Sequence, residues 1–162
     1  MSGVDTCNVL LAQALAVFSG TGGINDQLAA MSLNPPLPPV GTILNLSAPM
    51  EAYEKTASVK YPVATLYCER LRNTQMQKFR VFSGNALLVV EIRVSGGNAA
   101  ELESALNSYV EAACEVLYTS SGAWSGIGTY SGAYDVKFQA MRPGGKQFTK
   151  SAQIAFEIQV SK

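Results

Sequence analysis

The run FRVFSGNALLVVEIRVSGG, from Phe79 to Gly97, limits the possible architecture of this chain more than any other segment. Within it Ala86, Leu88, Val90, Ile92 and Val94 fall on one face of an extended strand, while Asn85, Glu91 and Arg93 fall on the other. Alternation of that kind predicts a half-buried strand. Directly afterwards the apolar period changes from two to 3.6. Leu102, Ala105, Leu106, Tyr109, Val110, Ala113, Val116 and Leu117 then form one stripe. The pair therefore predicts a strand feeding a helix that covers a sheet. No reactive residue interrupts either element, so the unit is scaffold.

The other elements are placed around this unit. An apolar segment, Val9 to Phe18, reads as a first helix starting near Asp5 and stopping at Ser19-Gly20. From Gly20 to about residue 60 the sequence predicts a long loop region with at most one helical turn before Pro39 and a short strand at Thr42 to Leu46. Inside it NPPLPP makes a Pro-rich strap over 33–39, stiffened toward polyproline geometry. Ala64, Leu66 and Cys68 alternate with Val63, Thr65 and Tyr67 as the next strand, and 70–84 reads as a polar, basic connection. Asn98 suits a helix cap, with Glu101 at the third helical position. Glycines 122, 126, 128 and 132 predict a flexible turn around Trp124. Two last strands follow, one with Tyr134, Val136, Phe138 and Ala140 inward and one with Ala152, Ile154, Phe156, Ile158 and Val160 inward, joined by RPGGKQ as a hairpin loop. The expected fold is α+β, a two-layer sandwich of a mainly antiparallel sheet of about four strands with two helices on one face.

A length of 162 residues suits one domain over 1–162, and a 48% hydrophobic content with balanced charge is that of an ordinary globular chain. Lys and Arg total 12, as do Asp and Glu, which argues against strong nonspecific nucleic-acid binding. The balance is uneven along the chain. Residues 1–54 hold Asp5, Asp26, Glu51 and Glu54 and no basic residue, so opposite ends of neighbouring copies could attract. Cys7, Cys68 and Cys114 are far apart and include no CxxC pair. They read as free thiols in a reducing compartment, with Cys68 and Cys114 as small buried hydrophobes. No Lys or Arg precedes Val9, and Val9 to Phe18 is too short to cross a bilayer, so the expectation is a soluble chain without an export signal.

Catalytic constellations are missing from the sequence. It contains no histidine, which removes the commonest general base near neutral pH and the commonest metal ligand. Glu111 and Glu115 lie four apart on one exposed helix face, as solvated carboxylates do. There is no dinucleotide-binding glycine motif after a strand, no phosphate loop and no GxSxG; PGGK at 143–146 has a lysine but no following helix. The reading is therefore of a non-enzyme with no catalytic residue, cofactor or metal site. What does stand out is RLRNTQMQKFR, which concentrates Arg70, Arg72, Lys78 and Arg80 around one aromatic, Phe79, together with a second basic stretch holding Arg142, Lys146 and Lys150. These seven residues are the candidate contacts with other subunits or partners.

YPVATLYCERLRNTQMQKFRVFSGNALLVVEIRVSGG, then ELESALNSYVEAACEVL, then GTYSGAYDVKFQAMRPGGKQFTKSAQIAFEIQV, resembles in element order and pattern the tail terminator proteins of tailed bacteriophages. The resemblance runs through roughly residues 1–160 and is closest from Tyr61 onward; the Pro-rich strap has no counterpart in it. It implies a structural virion protein that forms a ring, a hexamer in that family, at the head-proximal end of the tail. There it ends growth of the tail tube and joins tail to head. The implied partners are its own copies, the tail tube protein and a neck or head-completion protein. Genome DNA would pass through the ring without sequence-specific binding, and no membrane is involved. Synthesis would take place in the bacterial host cytoplasm. A neck or head-completion connector of the same virion is the alternative, followed by a small α+β ligand-binding enzyme.

Overall fold

A computed structural model describes residues 3–46, 59–75, 77–144 and 147–162. Its first helix, α1 (Gly3–Ser19), buries Thr6, Leu10, Ala14 and Phe18, a spacing of four that keeps them on one face. Gly20 to Gly23 break the helix; at Gly23 a Cβ would stand 2.3 Å from the Phe18 carbonyl oxygen. A second helix follows, α2 (Ile24–Ala30), where the sequence predicted at most one turn. Its start is held by Asp26, whose Oδ2 accepts from the Gly22 N–H at 2.7 Å, and Ile24 and Leu28 enter the core.

The Pro-rich strap then runs back over the helices. Asn25 fixes its end through two hydrogen bonds with the Val40 backbone, Oδ1 accepting at 2.7 Å and Nδ2 donating at 3.0 Å. The Tyr109 hydroxyl donates to the Pro38 carbonyl at 2.5 Å. The expected short strand appears as β1 (Thr42–Asn45). The loop expected over residues 53–61 falls mostly outside the described residues.

Six strands form a curled sheet in the order β1, β2 (Val63–Asn73), β3 (Ser83–Gly96), β7 (Gln147–Ser161), β5 (Gly128–Phe138), β4 (Gly122–Trp124), and a short β6 (Arg142–Gly144) folds back on the start of β7. Among the described strands only β1 and β2 run parallel; the other pairs are antiparallel. The sheet is thus mixed and larger than the four strands expected. Two bulges bend it, one between Cys68 and Arg70 on β2 and one between Tyr130 and Tyr134 on β5, where extra residues raise local twist. The basic connection predicted over 70–84 shrinks to 74–82, because β2 continues through Arg70 and Arg72 to Asn73.

Helix α3 (Ala99–Thr119) lies on β3, β7 and β5, and α1 lies on β1 and β2. Asn98 caps α3 as expected, its side chain accepting from the Ala100 and Glu101 N–H groups at 3.1 and 3.3 Å. The predicted stripe is the buried face: Leu102, Leu106, Tyr109, Val110, Ala113, Val116 and Leu117 are enclosed together with Ala112, while Ala105 sits at the margin. Between α1 and the sheet Phe18, Trp124, Tyr130 and Phe156 form one aromatic cluster with ring centroids 5.6 to 6.3 Å apart. Trp124 is accordingly buried in β4, its indole N–H donating to the Ser120 carbonyl at 2.9 Å, and not part of a flexible turn. The sheet face away from the helices is also closed at one end, where Val63, Thr65, Val89 and Arg93 are buried.

Cys68 and Cys114 are half-buried, not enclosed as the sequence suggested. The Cys7 and Cys68 sulfurs approach to 3.0 Å, joining α1 to β2. Burial first, and then the hydrogen bond with Cys7, pushes the Cys68 thiol from 9.0 to about 12. Burial likewise pushes the Tyr109 and Tyr130 hydroxyls from 10.0 to about 12.

Two measurements test this packing. Leu106 is fully enclosed, so Leu106→Ala should cost about 2 to 5 kcal/mol in denaturant unfolding, while Glu111→Gln on the exposed face should stay within ~0.5 kcal/mol. The three raised groups hold their protons more tightly in the folded state. Their contribution is complete below their unfolded values and is lost as pH rises through the folded ones. The unfolding midpoint should therefore hold level to about pH 9 and fall between about pH 9 and 12, with the Tyr109 and Tyr130 share of the phenolate absorbance appearing only together with unfolding. Phenolate absorbance from Tyr109 and Tyr130 at pH 10 in the folded protein would contradict their burial.

Candidate interaction surface

Strands β2 and β3 form a long hairpin whose far end carries the first basic stretch. After the β2 bulge Arg70 pairs with Leu87 and Arg72 with Asn85, which puts both arginines on the sheet face away from the helices, and both are exposed. Gly84 lets the two strands close at that point, since a Cβ there would meet the Arg72 carbonyl oxygen at 1.8 Å. Lys78 and Arg80 are exposed in the 74–82 turn. Among the described residues none of these four cations forms an ion pair.

The turn is firmly anchored. Ser83 O accepts from the N–H groups of Thr74 and Gln75 at 2.8 and 3.0 Å. Asn73 Oδ1 accepts from the N–H groups of Gln75 and Ser83 at 3.1 and 3.3 Å. Phe82 is buried beneath the turn and exchanges two backbone hydrogen bonds with Lys162, at 3.0 and 2.9 Å, and the Ser161 hydroxyl donates to Gln77 Oε1 at 2.6 Å. On this base Phe79 stands wholly in solvent, 102% exposed, with φ at +70°, and Val81 beside it is also exposed. A bulky side chain in the left-handed region costs of the order of 1 kcal/mol. A polar groove of about 610 Å³ lies beside the turn, between Gln77, Arg80 and Ser83 on one side and the 126–128 segment on the other.

The second basic stretch is elsewhere. Lys150 pairs with Val94 and Arg72 with Asn85, so along β3 the two stretches are separated by nine residues, about 30 Å. Lys150, at 9% exposure, is not a free surface cation: its Nζ lies 2.7 Å from Glu103 Oε1 and 5.9 Å from the Phe138 ring centroid. Arg142 is exposed in β6, and Lys146 lies outside the described residues. Of the acidic first third, Asp26 closes its own turn, while Glu51, Glu54 and the Asp5 side chain lie outside the described residues.

An apolar stripe that periodicity had turned inward is partly in solvent. Tyr134 and Phe138 are 45% and 47% exposed on the helix side of β5, which α3 covers only in part, and Tyr118 is exposed near the end of α3. Tyr134 hydrogen-bonds Cys114, which together with that thiol's charge, some burial and Glu115 raises the Tyr134 hydroxyl. Alternation identifies the face of a strand but not how far its neighbours extend, so the sequence carried no signal for this exposure. No group of three or more metal-ligating side chains occurs among the described residues. A cavity of about 260 Å³ under the strap is walled by Leu37, Pro38, Pro62, Leu102 and Ala105, with Glu101 as its charged lining residue.

No protein-family model matches this chain, and no curated protein matches its sequence.

Phe79 contributes nothing to the core, so Phe79→Gly should change unfolding free energy by less than about 1 kcal/mol, whereas Phe82→Ala three positions on should cost about 3 to 5 kcal/mol. Equal losses in the two variants would show that Phe79 packs against its own chain.

Proposed function

We propose that this chain is a structural virion protein, a tail terminator that closes into a ring at the head-proximal end of a bacteriophage tail, ends tube growth and meets the neck. The observation that carries the reading is the rigidly held hairpin end, four exposed cations and an exposed Phe79 on an anchored turn. An aromatic kept in water at positive φ on a fixed base has the character of an interface anchor, because such residues supply much of the affinity of protein contacts. The sequence resemblance and the lack of a histidine or recognised catalytic motif support the same reading. In a ring the hairpin end would offer Phe79 and Val81 to the tube or the neck protein. A connector in the neck itself would use the same surface and differ only in which partner binds it.

Reversing Arg70, Arg72, Lys78 and Arg80 to Glu should leave the fold intact and weaken assembly, most strongly at low salt, where exposed charges are least screened. Sedimentation of parent and variant at two ionic strengths, with and without tail tube protein, decides this. Identical ring populations throughout would remove the basic end from the interface. A parent that stays monomeric even with tube protein would remove the ring.

A further inference from the structure

Among the described residues the sheet has an open edge on each side. β4 covers β5 only at residues 128–130, and β6 pairs with β7, so from Tyr134 to Phe138 no described strand lies beyond β5. Gln139 N–H donates to Ser151 O across to β7, and bonding direction alternates along a strand. The N–H and C=O groups of residues 134, 136 and 138 therefore point away from β7, toward the open side. On the opposite edge β1 covers β2 only at residues 63–66, which leaves 68–73 without a described neighbour.

These two edges complement each other on both faces. On the helix side β5 offers Tyr134 and Val136, and β2 offers Cys68 and Leu71, all four at least partly accessible. On the other face Asp135 of β5 and Glu157 of β7 are exposed acids, and Arg70 and Arg72 of β2 are exposed bases. Lys137 and Glu69, also exposed on these two strands, give a second pair of opposite signs. Strand direction alternates from β2 through β3 and β7 to β5, so β5 runs opposite to β2. Rotation about a ring axis preserves each strand's direction along that axis, and β5 would meet the next copy's β2 antiparallel.

We infer that the subunit contact is β-strand addition: the β2 edge of one copy, residues 68–72, pairs antiparallel with the β5 edge of the next, residues 133–136. The register sets Asp135 opposite Arg70, Tyr134 opposite Leu71, and Val136 beside Cys68 at the β2 bulge. Backbone hydrogen bonds supply affinity in this mode and the flanking side chains supply register. Unlike edges meet, so the contact is heterologous and repeats from copy to copy, and the curl of the sheet turns the repeat toward closure. The inference rests on the ring reading above and names the surfaces that make it.

The test is Val136→Pro together with a charge exchange, each read by sedimentation and by melting temperature. Proline at 136 removes one outward N–H and leaves the β7 ladder in place. It should abolish assembly at any salt concentration with the melting temperature within a few degrees of the parent, while Val136→Thr should assemble. Arg70→Glu with Arg72→Glu, and separately Asp135→Arg with Glu157→Arg, should each lower the ring fraction at low salt at least several-fold, and all four changes in one chain should restore it. A parent ring untouched by Val136→Pro, or paired losses that the combined variant fails to restore, would overturn the edge contact and leave the ring standing. A parent that never assembles, alone or with tube protein, would overturn both.

Discussion

The antiparallel ladder between β3 and β7 is what the other elements depend on. It runs unbroken from Ser83 opposite Ser161 to Gly96 opposite Phe148; β2 pairs with β3, β5 and β6 pair with β7, and β1 and β4 are added outside β2 and β5. One face of the ladder, Leu88, Val90, Ile92, Ile154, Phe156 and Ile158, is the floor on which α3 rests. Because pairing sets the side-chain face at every second residue, a slip of one position would turn that floor to solvent. Burial of one face thus holds the register, and the register in turn aligns the hairpin end, the β7 terminus and the 125–127 segment at one end of the sheet.

Around this ladder the helices play different parts. α3 covers the middle strands with a continuous stripe, and its Asn98 cap satisfies N–H groups that would otherwise lack partners at the helix start. α1 closes the other part of the core through Phe18 and the aromatic cluster, where Phe156 touches rings from three elements. The strap is secondary to both: Asn25 and Tyr109 hold it by hydrogen bonds to backbone at Val40 and Pro38, so it follows helices already in position.

Much of this arrangement was written in local pattern. The alternation from Ala86 to Val94, the change of period after Gly97 and the Asn98 cap each have a short-range cause, and each appears where the sequence placed it. The parts that were not legible depend on long-range pairing. β4 and β6 are three residues each and exist only because longer strands accept them. Trp124 looked like part of a glycine turn because its burial is decided by Phe156 and Tyr130, distant or separated by glycines in sequence. At the surface, Arg70, Arg72, Lys78 and Arg80 were visible as a charge cluster. Lys150 looked equivalent to them, yet Glu103 and Phe138 enclose it, which no spacing rule reveals. The exposed edge at Tyr134 was hidden for the same reason, since the reach of α3 over β5 is a property of the assembled layers.

The central ladder also has a history in time. β3 is complete once Gly96 has been made, but its partner is not complete until Ser161. At synthesis rates of about 5 to 20 residues per second, the apolar run ALLVV, residues 86–90, would wait on the order of 3 to 13 s for the strand that covers it. Uncharged β-branched runs with an unpaired edge are the segments from which intermolecular aggregation starts. During that interval β2 on one side and the nascent α3 on the apolar face are the available shields. Sheet order thus makes the yield of folded subunits sensitive to translation speed from Gly97 to Ser161.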